Sequence, residues 1–263
     1  MSAIDHYENF PVASVLCPPQ FRAPIVAIYH FARTADDLAD EGNAPAESRL
    51  HDLHCLREDL NKQLADDGFK SERWALMLKT LVGQIRQFDL PVPLLLALLD
   101  AFEQDVIYTR DQRRYPDLAS LLDYCSRSAN PIGRLLLHLY GIRTEAALAQ
   151  SDAVCSALQL INFWQDLSVD LPRGRNYLPE NCHLKDGLAL ARSLMQAGEP
   201  LVHQVPGRAG WELRLVVQGG YRMLEKIELT DTFKKRPKLD AFDLLPMLWR
   251  SVWMQAPASQ SRP

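Results

Sequence analysis

Glycine is scarce, at 12 of 263 residues, and runs of alternating apolar and polar residues are absent, so nothing in the chain reads as a β-sheet. No stretch approaches the roughly 18 consecutive apolar residues that a membrane span needs. The first ten residues carry Asp5 and Glu8 and contain no apolar signal core. A block of Lys and Arg is also missing and the net charge is only −4, which argues against nucleic acid as a partner. The five cysteines (Cys17, Cys55, Cys125, Cys155, Cys182) form no C-x-x-C pair. An odd, unpatterned set suits free thiols in a reducing cytosol better than a disulfide framework or a zinc site, so a cytoplasmic location is expected. The seven histidines lack ligand spacing, and no G-x-G-x-x-G follows a strand, so a Rossmann nicotinamide site is unsupported.

What the chain has is apolar residues at helical spacing. Phe21, Ile25, Ile28, Tyr29 and Ala32 fall on one helix face. Leu95, Leu98, Leu99, Phe102 and Val106 repeat the pattern, and Val154, Leu158, Ile161 and Gln165 do so again. Breaks fall at Gly42–Pro45, Asp67-Gly68, Asp89–Pro91, Tyr115–Asp117, Gly141, Pro172–Gly174, Gly198–Pro200 and Arg236-Pro237. They predict about eight or nine helices of ordinary length. The simplest architecture is a single all-α domain over residues 1–254, with 255–263 as a loose tail.

Two acidic motifs stand out. In Arg33-Thr-Ala-Asp36-Asp37-Leu-Ala-Asp40-Glu41-Gly42, Asp36 and Asp40 are one helical turn apart and continue the apolar stripe, with Arg33 next to them. Asp37 and Glu41 turn towards solvent. Gly42-Asn43 reads as a helix C-terminus, so the acids oppose the macrodipole there. Close pairs repel by up to about 4 kcal/mol at an effective dielectric near 20, and something cationic should offset that. The second motif places Asn162, Asp166 and Asp170 at successive i, i+4 positions beside Val154, Leu158 and Ile161. Pro172 and Gly174 end this helix, and Arg173 and Arg175 follow.

Acid clusters on two helix ends, each with arginine nearby, point to one chemistry. Carboxylate oxygens suit Mg2+, and Mg2+ with Arg clamps a diphosphate and stabilises it as a leaving group. The carbocation left behind needs a dry apolar cavity with aromatic faces. A single D-x-x-x-D on a helix would read as a solvated face. Two of them, both at C-terminal ends beside a core stripe, favour a site. A di-iron bundle would want Glu-x-x-His pairs, and a calcium loop D-x-D-x-D-G; the chain has neither.

Other features stay open at this level. Tyr124 shares a face with Leu121, Leu135 and Leu139, and Pro131 is expected to kink that helix; the tyrosine suits either the core or a site. Trp164, Trp211, Trp249 and Trp253 read as core or interface. Lys234-Lys235-Arg236 reads as a solvated turn or a phosphate contact.

Over residues 5–250 the sequence resembles the squalene/phytoene synthase family. The resemblance rests on Ala27–Asp40, on Tyr124-Cys125 with Ala129 and Gly133, on Gln159–Tyr177, and on Tyr221 with Arg236-Pro-Lys-Leu239. The opening His6–Ser14, Ala39-Asp-Glu-Gly42 and Asn162-Phe-Trp-Gln165-Asp166 resemble the hydroxysqualene synthase branch. The resemblance implies the class I isoprenoid synthase bundle with a central apolar cavity. It implies Asp36, Asp37, Asp40, Asn162, Asp166 and Asp170 as metal ligands, for three Mg2+ ions. It implies Arg33, Arg175, Arg236 and Gln159 as substrate contacts, and Tyr29, Tyr124, Tyr177, Tyr221, Asn162 and Gln165 around the reacting carbons.

The expected substrate is presqualene diphosphate and the product hydroxysqualene, with water capturing the rearranged cation and no nicotinamide cofactor. Gln165, where the family usually has Arg, and Glu8-Asn9, where many members have Ser and Lys, remove positive charge or donors. That suits an enzyme starting from one diphosphate. The rivals are a head-to-head prenyltransferase acting on two diphosphates and a non-catalytic assembly protein of the same fold. Peripheral contact with the bacterial inner membrane, and functional coupling to the enzymes before and after it in squalene synthesis, are also expected.

Overall fold

Pro19 opens α1 (Pro19–Asp40), where its missing N–H costs nothing because a first-turn amide has no intrahelical partner. The helix stops where Glu41 turns extended and Gly42 takes φ 73°, a conformation that side chains other than glycine resist. The computed structural model describes residues 17–254; the opening His6–Ser14, the Glu8-Asn9 departure and the tail at 255–263 lie outside them.

After α1 come α2 (Ala46–Leu64), a 3-10 turn at Glu72–Trp74, α3 (Ala75–Phe88) and α4 (Val92–Arg110). These four helices close round Phe31, Leu53, Leu56, Leu78, Leu81 and Leu99, all fully buried. Each such side chain contributes roughly 1.5–3 kcal/mol of apolar burial.

The second half is built on α7 (Glu145–Gln165). Its N-terminus is capped by Thr144, whose hydroxyl accepts the Ala147 N–H at 3.3 Å. Packed against it are α5 (Leu118–Ser128), α6 (Asn130–Leu139), α9 (Leu184–Gly198) and α10 (Gly207–Glu228). A one-turn α8 (Leu167–Asp170) follows α7, and α11 (Ala241–Val252) lies along α10. Tyr124, Leu160, Trp164, Met195 and Leu224 belong to this second core. No strand occurs among the described residues, and no helix there is long and apolar enough to cross a membrane.

Two expectations about helix continuity are corrected. Residues 118–139 are not one kinked helix: the chain breaks at Ala129 (φ −121°, ψ −47°) and Pro131 occupies the first turn of α6. Proline tolerates a start better than an interior, where it would remove a hydrogen bond. Likewise α7 ends at Gln165, and Asp166 (φ −98°, ψ 8°) links it to α8. The Asp170 N–H still reaches the Asp166 carbonyl at 2.9 Å, so the one-turn spacing of the two acids survives the break.

Between the two halves lies a cavity of about 790 Å³, within the 300–1,000 Å³ typical of small-molecule sites. Its wall on α1 is Ile25, Ile28, Tyr29 and Ala32, continuing into Arg33, Asp36 and Asp40. Phe21, the first residue of the predicted stripe, instead packs edge-on against Phe88 and Tyr140.

Candidate active site

The last two turns of α1 bring Asp36, Asp37 and Asp40 together, with one carboxylate oxygen of each within 4.8 Å of the others. Arg33, a turn earlier, meets Asp36 at 3.1 Å and Asp37 at 2.8 Å. Asp36 and Asp40 line the cavity; Asp37 sits beside them but outside its wall. Arg33 does not neutralise the group. Burial, and then the neighbouring Asp40 charge, push the Asp36 carboxyl up to about 7.

The end of α7 and the short α8 after it face this cluster across the cavity, presenting Gln159, Asn162, Asp166 and Asp170. Burial, followed by the Asp166 charge, raises Asp170 to about 6. The two motifs are tied directly. Arg175, whose backbone N–H bonds the Asp170 carbonyl at 3.0 Å, extends its guanidinium to the other helix. It donates to the Asp40 carboxylate at 2.5 Å and to the Asp40 carbonyl at 3.0 Å. Arg236, on the loop between α10 and α11, donates to both oxygens of Asp166, one of them at 3.2 Å. The cations expected to offset the acids are therefore Arg33, Arg175 and Arg236, and all three line the cavity.

Below the acids the wall becomes aromatic. Phe163 and Tyr177 stack with centroids 3.8 Å apart and planes 8° apart, and Tyr124 stands 6.0 Å and 6.2 Å from them. Burial holds both phenols well above their usual range, so they stay protonated donors. The Tyr177 hydroxyl donates to Asp105 at 2.7 Å. Asp105, on α4, is a buried carboxylate lining the same cavity, and desolvation raises its pKa against the opposing pull of Tyr177 and Arg175. Sequence reading missed it, although the signal was there: an acid three residues after Phe102, on the stripe that runs to Val106.

Hard oxygen donors converge with cations at one end of an apolar hollow, a combination that could hold divalent ions and an anionic, greasy ligand. Residues 4–189 match the squalene/phytoene synthase family profile. The chain belongs to the squalene/phytoene synthase family. It is similar to a hydroxysqualene synthase of Sinorhizobium fredii, 29% identical over 92% of this chain and 87% of that one. It is also similar to a presqualene diphosphate synthase of Zymomonas mobilis, 31% identical over 69% of this chain and 60% of that one. Among solved structures it is similar to a squalene synthase from Alicyclobacillus acidocaldarius, with a TM-score of 0.72, 31% identity, and coverage of 86% of this chain and 90% of that one. The fold is accordingly that of class I isoprenoid synthases.

Most site residues expected of a squalene/phytoene synthase meet in this one cavity: Tyr29, Arg33, Asp36, Asp40, Tyr124, Gln159, Asn162, Asp166, Asp170, Arg175, Tyr177 and Arg236. Asp37 lies beside them outside the wall, and two are placed elsewhere. Tyr221, expected beside the reacting carbons, points away from the cavity. Gly219, Gly220 and Met223 of α10 line it, while Tyr221 is rotated off that face and donates to Glu199 at 3.0 Å, lining a separate groove with Trp249 and Trp253. Gln165 is fully buried outside the cavity wall, and its amide donates to the Pro237 carbonyl at 2.9 Å. There it helps to anchor the loop that carries Arg236.

Proposed function

We propose that this synthase converts presqualene diphosphate to hydroxysqualene and diphosphate. The observation that carries the reading is the Arg175–Asp40 bond across the cavity, which joins two acid clusters at the polar end of one apolar hollow. The donor set fits Mg2+: oxygens of Asp36, Asp37 and Asp40 lie close together, and burial, then a neighbouring acid, makes Asp36 and Asp170 costly to ionise without a further cation. Asp36, Asp37 and Asp40 on one side and Asn162, Asp166 and Asp170 on the other would hold the ions, three in the full complement. Bound Mg2+ would neutralise the diphosphate and favour its departure.

The protein's own groups do the rest. Arg33, Arg175 and Arg236, paired with the acids in the free chain, would turn to the diphosphate oxygens and orient the C–O bond for cleavage. The electron pair leaves with the diphosphate. Phe163, Tyr177 and Tyr124 present ring faces to the cation, and the apolar wall keeps stray water away while it rearranges. One water then forms the new C–O bond and loses a proton, giving the alcohol. No step calls for hydride, and the reading includes no nicotinamide. The substrate would come from an enzyme joining two prenyl diphosphates, and the product would pass to one that reduces the alcohol.

Mass spectrometry of products from presqualene diphosphate tests this. Hydroxysqualene should form with Mg2+ and not with EDTA. The likeness to a presqualene diphosphate synthase supports a second reading, head-to-head condensation of two prenyl diphosphates. Incubation with farnesyl diphosphate alone separates the two, since rapid consumption would sink the first.

A further inference from the structure

α11 is turned inside out. Its buried positions are Asp243, Met247 and Ser251. The Asp243 carboxylate is paired to Arg222 at 2.7 Å and to Lys226 of α10, and Arg214 of α10 donates to the Ser251 carbonyl at 3.2 Å. The apolar side chains face outward: Phe242 is 86% exposed, Leu245 73%, Trp249 67% and Trp253 63%. Their spacing of three, four and four residues makes one stripe along the outer face. A continuous apolar stripe of this size on a soluble face marks a contact surface.

The stripe is continuous with the polar end of the cavity. Arg236 and Leu239 line that cavity. The short segment bearing them runs from the exposed Phe233 to the exposed Phe242 and also carries Lys234, Lys235 and Lys238, all exposed. Lys234, paired with Asp231 at 2.8 Å, and Lys235 and Lys238 outnumber the exposed acids Asp231 and Asp240 here. A basic loop thus precedes an apolar helix face, which suits an anionic bilayer with the rings at the interface and the ammonium groups on lipid phosphates.

We propose that α11 and the 233–238 loop dock this protein on an anionic membrane surface, which sets the polar end of the cavity beside the bilayer. The docking stands on the surface alone. Its use, delivering a hydrocarbon diphosphate to Arg236 and the acids, rests on the function proposed above.

The test is co-sedimentation of the full chain with phosphatidylcholine vesicles, with and without phosphatidylglycerol, together with tryptophan emission and the oligomeric state in solution. Binding with a blue shift of the emission is expected on the phosphatidylglycerol vesicles. Leu245→Ser/Trp249→Ser/Trp253→Ser should abolish it while leaving the helical circular dichroism unchanged. Should that variant fold poorly, Lys234→Glu/Lys235→Glu leaves the apolar stripe intact, and should weaken binding about thirtyfold. The proposal is overturned if the wild-type chain stays in the supernatant. It is equally overturned if both variants bind as the wild type does, or if the chain is a dimer in which this face is covered by a second copy. Sedimentation needs no substrate, so a wrong assignment of the reaction would leave this result standing.

Discussion

Asp105 shows how much a single side chain can be asked to do. It is a carboxylate among apolar neighbours, held by the Tyr177 hydroxyl and near enough to Arg175 and Asp40 to feel both charges. It touches no acid motif directly, yet it fixes the ring that stacks on Phe163. Asp105→Leu, which removes the acceptor that Asn would keep, should lower kcat about 10–100-fold with the fold intact, as loss of a supporting partner generally does. Tyr177→Phe should cost a similar amount, and the double variant little more than either alone, because both remove one bond. Steady-state kinetics on the three variants checks this.

The pH dependence is also a residue-scale matter. Asp36 at about 7 and Asp170 at about 6 lie above an ordinary aspartate. A carboxyl raised in the folded state binds its proton more tightly there than in the unfolded chain. The stability it contributes is therefore full below about pH 4 and is lost as pH rises through 6 and 7. In EDTA, the melting temperature should fall between pH 5 and pH 8, and less so in Asp36→Asn. Mg2+ competes with those protons, so its stabilisation should grow over the same interval. Thermal melts with and without the ion decide it.

At the level of elements, the site depends on how closely α7 is approached. A Cβ on Gly198, at the end of α9, would lie 2.6 Å from the Gln150 carbonyl and 2.9 Å from the Val154 amide of α7. Backbone cannot swing aside as a side chain can, so Gly198→Ala should destabilise by about 1–3 kcal/mol, measured by urea denaturation. The loop after α10 is held in part by the bond from Gln165 to the Pro237 carbonyl, alongside those from Arg236 to Asp166 and from Lys226 to the Lys238 carbonyl. Gln165→Leu leaves the Pro237 carbonyl without its amide donor and should cost about 1–3 kcal/mol. KM should rise more than kcat falls, since Arg236 is loosened while the reacting carbons keep their walls.

The described residues form two main helical cores with a hollow between them, and at the hollow's polar end Arg175 bridges the halves to Asp40. Filling it should stiffen both halves together. Mg2+ with inorganic diphosphate at about 100 times its dissociation constant should add about 2.7 kcal/mol, which for a chain of this size is roughly 5–10 °C in melting temperature. Asp36→Asn/Asp170→Asn should abolish that shift without lowering the starting value, because both replace acids that are costly to ionise in the empty site. Differential scanning fluorimetry reads both.

The chain's own order of residues determined most of the helices, the breaks at Gly42, Pro91 and Pro237, the stripe from Ile25 to Asp40, and the pairing of Asp36 with Asp40. All of these follow from periodicity and turn chemistry within one or two turns. The breaks at Ala129 and Asp166 were not legible in that order. Only the tertiary structure decided that Arg175 reaches Asp40, that Gln165 serves a loop 72 residues away, that Tyr221 turns from the cavity, and that α11 shows its tryptophans to the outside. Local spacing fixes the direction of a side chain about its own helix axis. What it meets there depends on how the helices are arranged around the cavity, which is settled by packing between residues far apart in the chain.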